Sequence, residues 1–271
     1  MGVGTAIFLG LVQGVAELFP LSSLGLLVIL PHLSHLAVPT TGAKYLPFLT
    51  ALHLGTGLAL LIYFLKDWYQ LLREGLWSLL GKPSSTGRLF WMVLWASIPA
   101  GVVGLVLKNP LSHLFGKPMW VAVFLIVNGF IMMIGDRWHQ RRAADRTLEA
   151  LQPKDAVRIG LFQVLALVPG LSRSGSTMTG GLGEGLSYQE AARFSFLMAT
   201  PIILAAALVE LPHLHAGAHS LLLPALIGGI TAGCAAWLST RFLMRYFQNH
   251  RLRAFALISM ALGVFSLVIM H

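Results

Sequence analysis

Two ionisable residues lie deep inside otherwise apolar segments of this 271-residue sequence, and hydroxyl groups surround both of them. Glu17 is followed by Ser22 and Ser23, and Arg173 lies in the run PGLSRSGST at 169–177. A guanidinium can form two parallel hydrogen bonds to phosphate oxygens, and hydroxyls add further donors. A carboxylate beside them can accept a proton or bind a divalent cation. These residue types therefore predict a site for a phosphorylated lipid.

A purely structural ion pair between Glu17 and Arg173 is the alternative interpretation of the two charges. An ionisable group inside a bilayer is costly, so a residue kept there usually has a function. The hydroxyls next to both residues favour the ligand site over the structural pair. Gln13 lies four residues before Glu17, so both face one side of a helix. In the second segment a helix starting at about Ser176 would present its N-terminus, which binds anions, to the ligand.

The two charges belong to a segment that occurs twice, 150 residues apart. The first copy reads GLVQGVAELFPLSSLG at 10–25, and the second reads GLFQVLALVPGLSRSG at 160–175. Each copy runs from an apolar helical stretch through a proline into a bend rich in Ser and Gly. In a hydrophobic chain, a duplicated broken helix is a frequent way to build a polar site at mid-membrane depth.

The composition is that of an all-α, multi-pass membrane protein. The chain is 56% hydrophobic and 11% charged, and its mean hydropathy is +0.76, outside the range of soluble domains. The net charge of +9 could indicate nucleic-acid binding. The basic residues fall in short loops between apolar segments, however, so a membrane explains the charge better and no nucleic acid is expected. The single cysteine, Cys234, excludes an internal disulfide.

Six full membrane spans and two broken segments are predicted within one membrane domain covering residues 1–271. The broken segments, 4–36 and 156–184, contain Pro and Gly near their middle, as expected of re-entrant hairpins. The full spans are 47–65, 89–107, 118–135, 189–209, 221–240 and 254–270.

The loop charges orient these spans. Fifteen of the nineteen Lys and Arg residues are Arg193 or fall in loops 66–88, 136–158 and 241–253, which predicts that this side is cytoplasmic. Only three basic residues fall in the opposite loops, 37–46, 108–117 and 210–220. The first hairpin then opens outward and the second toward the cytoplasm.

This orientation predicts two repeats of inverted topology, residues 1–135 and 136–271. A weaker internal similarity at one common offset supports the prediction. It matches Leu94, Ile98, Ala100 and Gly101 with Leu226, Ile230, Ala232 and Gly233.

At the Ser-rich bends the sequence resembles the undecaprenyl-pyrophosphate phosphatases of the bacitracin-resistance type. The residues from Gln13 to Gly25 are similar to the first motif of that family, in which Glu or Gln, three residues, and Glu precede Pro-x-Ser-Ser. VPGLSRSGST at 168–177 is similar to the second motif, PGxSRSG, and HLGT at 53–56 also fits. The resemblance implies removal of the terminal phosphate from a C55 isoprenoid diphosphate. It places the reaction on the periplasmic side of the bacterial inner membrane, where it recycles the carrier for cell-wall synthesis.

The resemblance also implies roles for individual residues. Glu17, Ser23 and Arg173 are the implied catalytic residues, with Ser23 as a nucleophile or a phosphate ligand. A divalent cation, Mg²⁺ or Ca²⁺, is implied, with Glu17 as its ligand. The implied partners are the polyprenyl diphosphate lipid and the membrane, and a homodimer is compatible with the sequence. Together with the hydroxyl-rich bends, the resemblance predicts as substrate-binding residues Gln13, Ser22, Ser172, Ser174, Gly175, Ser176 and Thr177.

One position departs from the family pattern. The family commonly has SSxGH in the first motif, whereas Leu26 stands here in the place of the histidine. A leucine neither accepts a proton nor binds metal. Glu17 is then the only base, or His53 reaches the site from the next span. A structural His53, bonded to a backbone carbonyl, is the alternative.

Two functions remain open from the sequence. The first is hydrolysis of the polyprenyl diphosphate. The second is transport or flipping of polyprenyl phosphate with little or no hydrolysis, because inverted repeats that meet at broken helices are also a transporter architecture.

Overall fold

The computed structural model describes residues 2–33, 46–107, 117–141, 145–210 and 222–270. The described residues form eleven α-helices and one 3₁₀ turn at Leu148–Ala150, with no β-strand, which confirms the all-α prediction. The helices are α1 Val3–Ala16, α2 Ser23–Leu33, α3 Leu46–Tyr63, α4 Leu65–Leu79, α5 Ser85–Val106, α6 Pro118–Gln140, α7 Pro153–Leu165, α8 Arg173–Gly183, α9 Tyr188–Glu210, α10 Leu222–Asn249 and α11 Arg253–Met270.

The protein is a multi-pass membrane protein. Five of the described helices, α5, α6, α9, α10 and α11, are long and apolar enough to cross a bilayer. A sixth span is reached if α3 and α4, which meet at an angle of 76°, are counted together. The broken segments predicted at 4–36 and 156–184 contain the pairs α1–α2 and α7–α8. Each helix of these pairs is shorter than a bilayer crossing requires.

The segment 66–88, predicted to be a loop, contains the helix α4. Trp68 and Leu71 on one side of α4 are buried, whereas Tyr69 and Leu72 are exposed. Lys66, Asp67, Arg73 and Glu74 lower the hydropathy of the segment, which is why it was predicted as a loop. The spacing of its apolar residues is that of an amphipathic helix lying along a surface. The loops predicted at 37–46, 108–117 and 210–220 lie almost entirely outside the described residues.

The two bends that interrupt the broken segments have matching local structure. In the second bend, Ser172 is the N-cap of α8, and its Oγ accepts a hydrogen bond from the Gly175 N–H at 3.2 Å. In the first bend, the Ser22 Oγ accepts from the Gly25 N–H at 3.3 Å. Since a capping serine satisfies an amide of the first turn, α8 begins at Arg173 and not at about Ser176 as predicted.

The bends also pack against each other in reciprocal positions. A Cβ atom on Gly25 would lie 3.2 Å from the Cα of Gly170. A Cβ atom on Gly175 would lie 3.2 Å from the Cβ of Pro20. At the 150-residue offset Gly25 corresponds to Gly175 and Pro20 to Gly170, so the second contact repeats the first with the two copies interchanged. Gly170 has φ = +101°, and a side chain there would meet the Val121 carbonyl oxygen at 2.6 Å. Only glycine fits this position without strain.

The helices that lead into the bends are packed in an equivalent way. A Cβ on Gly10 of α1 would lie 2.6 Å from the carbonyl oxygen of Gly228 in α10. A Cβ on Gly160 of α7 would collide with the carbonyl oxygen of Ala96 in α5. Ala96 and Gly228 are separated by the same offset that relates Ala100 to Ala232 in the sequence. The glycines at positions 10 and 160 thus let α1 and α7 pack closely against α10 and α5. This close packing fixes the position of the bend that follows each helix.

Candidate active site

The carboxylate of Glu17 is the centre of the candidate site. Glu17 follows the last residue of α1, and Arg173 is the first residue of α8. The Arg173 Nη2 donates to Glu17 Oε1 at 3.0 Å, the Ser23 Oγ donates to Oε2 at 2.6 Å, and the Gln13 Nε2 donates to Oε2 at 3.1 Å. The Glu17 and Arg173 side chains are only 8% and 13% exposed. Hydrogen bonds on both oxygens offset the cost of burying the carboxylate.

His53 faces the same carboxylate from α3. Its Nδ1 lies 2.9 Å from the carbonyl oxygen of Leu49, which can only accept a hydrogen bond, so Nδ1 carries a proton. In the neutral ring the Nε2 is then the unprotonated nitrogen, and it lies 3.8 Å from Glu17 Oε2. The structure thus shows both features considered for His53: its ring is held by a backbone carbonyl, and it also faces the site.

A cavity of about 320 Å³ opens beside these residues. Its polar lining comes from the two bends, which supply Glu17, Ser22, Ser23, Ser172 and Arg173, and from His53 of α3. The helices α5 and α9 supply an apolar wall through Ala100, Gly101, Ile202, Ile203 and Ala206. A cavity with one charged end and one apolar wall suits a ligand that has a charged group attached to a hydrocarbon.

Four predicted substrate-binding residues, Ser174, Gly175, Ser176 and Thr177, are buried in α8 and do not line this cavity. The Ser174 Oγ donates to the Phe19 carbonyl at 3.3 Å, and the Thr177 Oγ1 shares a 2.6 Å hydrogen bond with the Ser195 Oγ of α9. These bonds fix the helix that carries Arg173. Direct contact of the four residues with substrate stays a prediction.

Asn128 of α6 is a polar residue that the sequence analysis missed. Its Nδ2 donates to the Pro20 carbonyl and to the Ser259 Oγ, each at 3.0 Å, and its Oδ1 accepts from the Ser172 N–H at 2.9 Å. One buried amide thus joins both bends. A neutral amide in the apolar span 118–135 was the available signal, and a search limited to charged residues passes over it.

Leu26, which replaces the family histidine, is half-buried and does not line the cavity. Its backbone N–H donates to the Ser22 carbonyl at 3.0 Å, as the Ser176 N–H donates to Ser172 at 2.9 Å in the other bend. Ser22 differs from Ser172 in having a left-handed φ of +66°. Non-glycine residues adopt this conformation infrequently, and it is often associated with functional sites.

The donors at the site fit a divalent cation only in part. Within the described ranges, no group of three or more His, Cys, Asp or Glu residues is arranged to hold a metal ion. Among the residues that the structure describes, Glu17 and His53 are the only ones of these types that line the cavity. Mg²⁺ is often held by one or two carboxylates together with phosphate oxygens of the substrate. The residues present therefore fit a cation that the protein shares with a bound phosphate.

Fold and site together define a multi-pass helical membrane protein with a buried Glu–Ser–Arg site at one end of a partly apolar cavity. The family model described as bacitracin resistance protein BacA matches residues 6–265. The chain belongs to this family, which confirms the resemblance seen in the motifs.

Curated relatives match over nearly their full length. The chain is 44% identical to an undecaprenyl-diphosphatase of Acidiphilium cryptum, over 97% of this chain and 96% of the relative. It is 47% identical to undecaprenyl-diphosphatase 2 of Burkholderia thailandensis, over 98% of this chain and 96% of the relative.

Proposed function

We propose that the protein hydrolyses undecaprenyl diphosphate to undecaprenyl monophosphate and inorganic phosphate in the bacterial inner membrane. The observation that carries this proposal is the 2.6 Å hydrogen bond from the Ser23 hydroxyl to Glu17, whose other oxygen binds Arg173. Binding of an anion requires the arginine, and the carboxylate that accepts from the Ser23 hydroxyl is in addition placed to take the proton of that hydroxyl during nucleophilic attack. The full-length relatives named undecaprenyl-diphosphatase support the same function.

The geometry favours Ser23 as the nucleophile and Glu17 as its base. The Ser23 oxygen attacks the terminal phosphorus while its proton moves to Glu17 Oε2 along the existing hydrogen bond. Arg173 binds the charge that develops on the phosphate oxygens, and the lipid monophosphate leaves. Water then cleaves the phosphoserine and releases inorganic phosphate. Direct attack by water would leave no phosphoserine, so mass spectrometry of the acid-quenched enzyme distinguishes the two routes.

A divalent cation, Mg²⁺ or Ca²⁺, is part of the proposal. Glu17 would hold it together with phosphate oxygens of the substrate, since the described residues offer no second carboxylate in the cavity. When bound, the cation would neutralise phosphate charge and so favour attack by an anionic oxygen.

Phosphate release by the purified protein tests the proposed function. We expect steady release of inorganic phosphate from undecaprenyl diphosphate, its loss in excess chelator, and its recovery on addition of Mg²⁺ or Ca²⁺. Ser23→Ala in the same preparation is the control for contaminating phosphatases. Movement of polyprenyl phosphate across a vesicle bilayer without release of phosphate would instead establish the transporter alternative.

We also propose that residues 1–135 and 136–271 form inverted-topology repeats, each with one re-entrant hairpin. The reciprocal contacts of Gly25 with Gly170 and of Gly175 with Pro20 support this relation. The equivalent approaches of Gly10 to α10 and of Gly160 to α5 support it independently. Assembly as a homodimer stays a prediction that the molar mass of the purified protein tests.

The site is proposed to open to the periplasm, with the basic loops in the cytoplasm. In a Cys234→Ala background, a cysteine at the exposed Lys117 should react with an impermeant thiol reagent in intact cells. A cysteine at the exposed Lys82 should react only after the cells are permeabilised. The opposite labelling pattern would invert the topology and contradict the periplasmic assignment.

A further inference from the structure

Gln163, near the end of α7, is a buried amide without a hydrogen-bond partner in the described part of the chain. The residue lines the cavity beside the Glu17–Arg173 pair and is only 2% exposed. Neither its Nε2 nor its Oε1 has a partner among the residues that the structure describes. Because burial of an unpaired amide is unfavourable, the protein without ligand is destabilised at this position.

The internal repeat explains why Gln163 lacks a partner. Its counterpart 150 residues earlier, Gln13, donates to Glu17, which lies four residues further along the same chain. The residue four positions after Gln163 is Leu167, which also lines the cavity and whose side chain cannot accept a hydrogen bond. Among the described residues, the amide nitrogen is therefore bonded in the first hairpin, where only the Gln13 Oε1 lacks a partner, whereas both amide atoms of Gln163 lack one in the second.

The position of Gln163 separates it from the other polar residues of the cavity. Those residues lie at the two bends or on α3, around the Glu17 carboxylate. Gln163 lies instead in the last turn of α7, Ala166 and Leu167 directly after that helix also line the cavity, and helices α5 and α9 complete this apolar part of the lining. A polar group at this place is suited to a ligand atom located between the charged end and the hydrocarbon.

We propose that Gln163 binds the lipid-side phosphate of the substrate, an inference that rests on the proposed function. With the terminal phosphate at Ser23 and Arg173, the second phosphate and the isoprenoid chain must extend toward the apolar wall. The Nε2 of Gln163 donates a hydrogen bond to an oxygen of that second phosphate and adds no net charge. The terminal torsion of a glutamine is soft, so the amide turns to its ligand at little cost.

The variant Gln163→Leu tests this proposal. We expect KM for undecaprenyl diphosphate to rise about 10-fold with kcat changed less than about threefold, because a contact kept from ground state to transition state is lost. Inhibition by the product undecaprenyl monophosphate, which keeps the lipid-side phosphate, should weaken by a similar factor. Inhibition by inorganic phosphate should not change, since that ion corresponds to the terminal phosphate.

The same variant should bind substrate more weakly but be more stable to heat. Leucine removes the unpaired amide, so the empty protein should gain about 2–4 °C in Tm. Thr179→Val is the matched control, because Thr179 Oγ1 is likewise buried without a partner in the described structure but does not line the cavity. It should raise Tm without altering KM.

Three outcomes would overturn the proposal. The first is an unchanged KM in Gln163→Leu, and the second is a lower Tm together with lower activity, which indicates a structural residue.

If the wild-type protein releases no phosphate, the proposed hydrolysis fails, and the role of Gln163 is then decided by measurements of ligand binding. Undecaprenyl monophosphate should raise the Tm of the wild type and have little effect on Gln163→Leu. An equal rise in both proteins is the third outcome that contradicts the proposal.

Discussion

Glu17→Gln is expected to lower kcat/KM for undecaprenyl diphosphate by at least about 10²-fold while the protein remains folded. The carboxylate accepts hydrogen bonds on both oxygens, from Arg173 at one and from Ser23 and Gln13 at the other. The side-chain amide of a glutamine has only one accepting oxygen, so its NH₂ group would face either Arg173 or the Ser23 and Gln13 donors. It also cannot take the proton of Ser23. The measurement is steady-state release of phosphate by purified variants of matched concentration.

The control for Glu17→Gln is Glu149→Gln, which makes the same chemical change at an exposed residue outside the cavity. It should leave kcat/KM within about twofold of the wild type, as expected of a surface substitution. If Glu17→Gln keeps more than a tenth of the activity, Glu17 is not the base.

Arg173→Ala should reduce kcat/KM by about 10³-fold, which would be the largest effect of a single substitution. The substitution removes the guanidinium that binds phosphate and leaves the buried carboxylate of Glu17 without its cation. That carboxylate then repels the diphosphate. Arg173→Lys restores the charge but not the planar fork, so we expect its activity to lie between those of the alanine variant and the wild type.

Arg158→Ala is the control for Arg173→Ala. Arg158 pairs with Glu184 at 3.4 Å, but its side chain is 58% exposed, and surface pairs of this kind contribute little. Its removal should change kcat/KM less than about threefold.

The double variant Glu17→Gln with Arg173→Gln separates catalysis from a structural ion pair. If the pair only joins the two hairpins, removal of both charges relieves the unpaired ion and should restore activity. We expect instead that the double variant recovers the Tm lost in Arg173→Ala but releases no phosphate. Recovery of more than a tenth of wild-type activity would show that the pair is structural.

The charged residues of the site were predictable from the sequence because charged residues are costly, and therefore rare, within membrane-spanning segments. Glu17 and Arg173 are the only charged residues well inside apolar segments, and the repeat places both at equivalent bends. Long apolar stretches likewise predicted the spans that correspond to α5, α6, α9, α10 and α11. For these features the local sequence is sufficient.

Features that depend on tertiary packing were not predictable in the same way. Asn128 acts by reaching Pro20 and Ser172, which lie far from it in the chain, and its own sequence neighbourhood is apolar. The start of α8 at Arg173 depends on whether Ser172 caps the helix or continues the bend, and a Ser/Gly run permits both. The amphipathic helix α4 was missed because mean hydropathy does not record on which side of a helix the apolar residues lie.

The two copies of the duplicated segment carry different residues at the positions that form the site, and this has a further consequence. At the 150-residue offset, Glu17 corresponds to Leu167 and Ser23 corresponds to Arg173. Neither copy therefore contains a complete set of reactive groups, although both contain the same bend. A gene duplication of this kind yields one composite site per polypeptide, not two half-active ones. Titration with a non-hydrolysable diphosphate analogue should therefore reach saturation at one equivalent per chain, whatever the number of chains in the assembly.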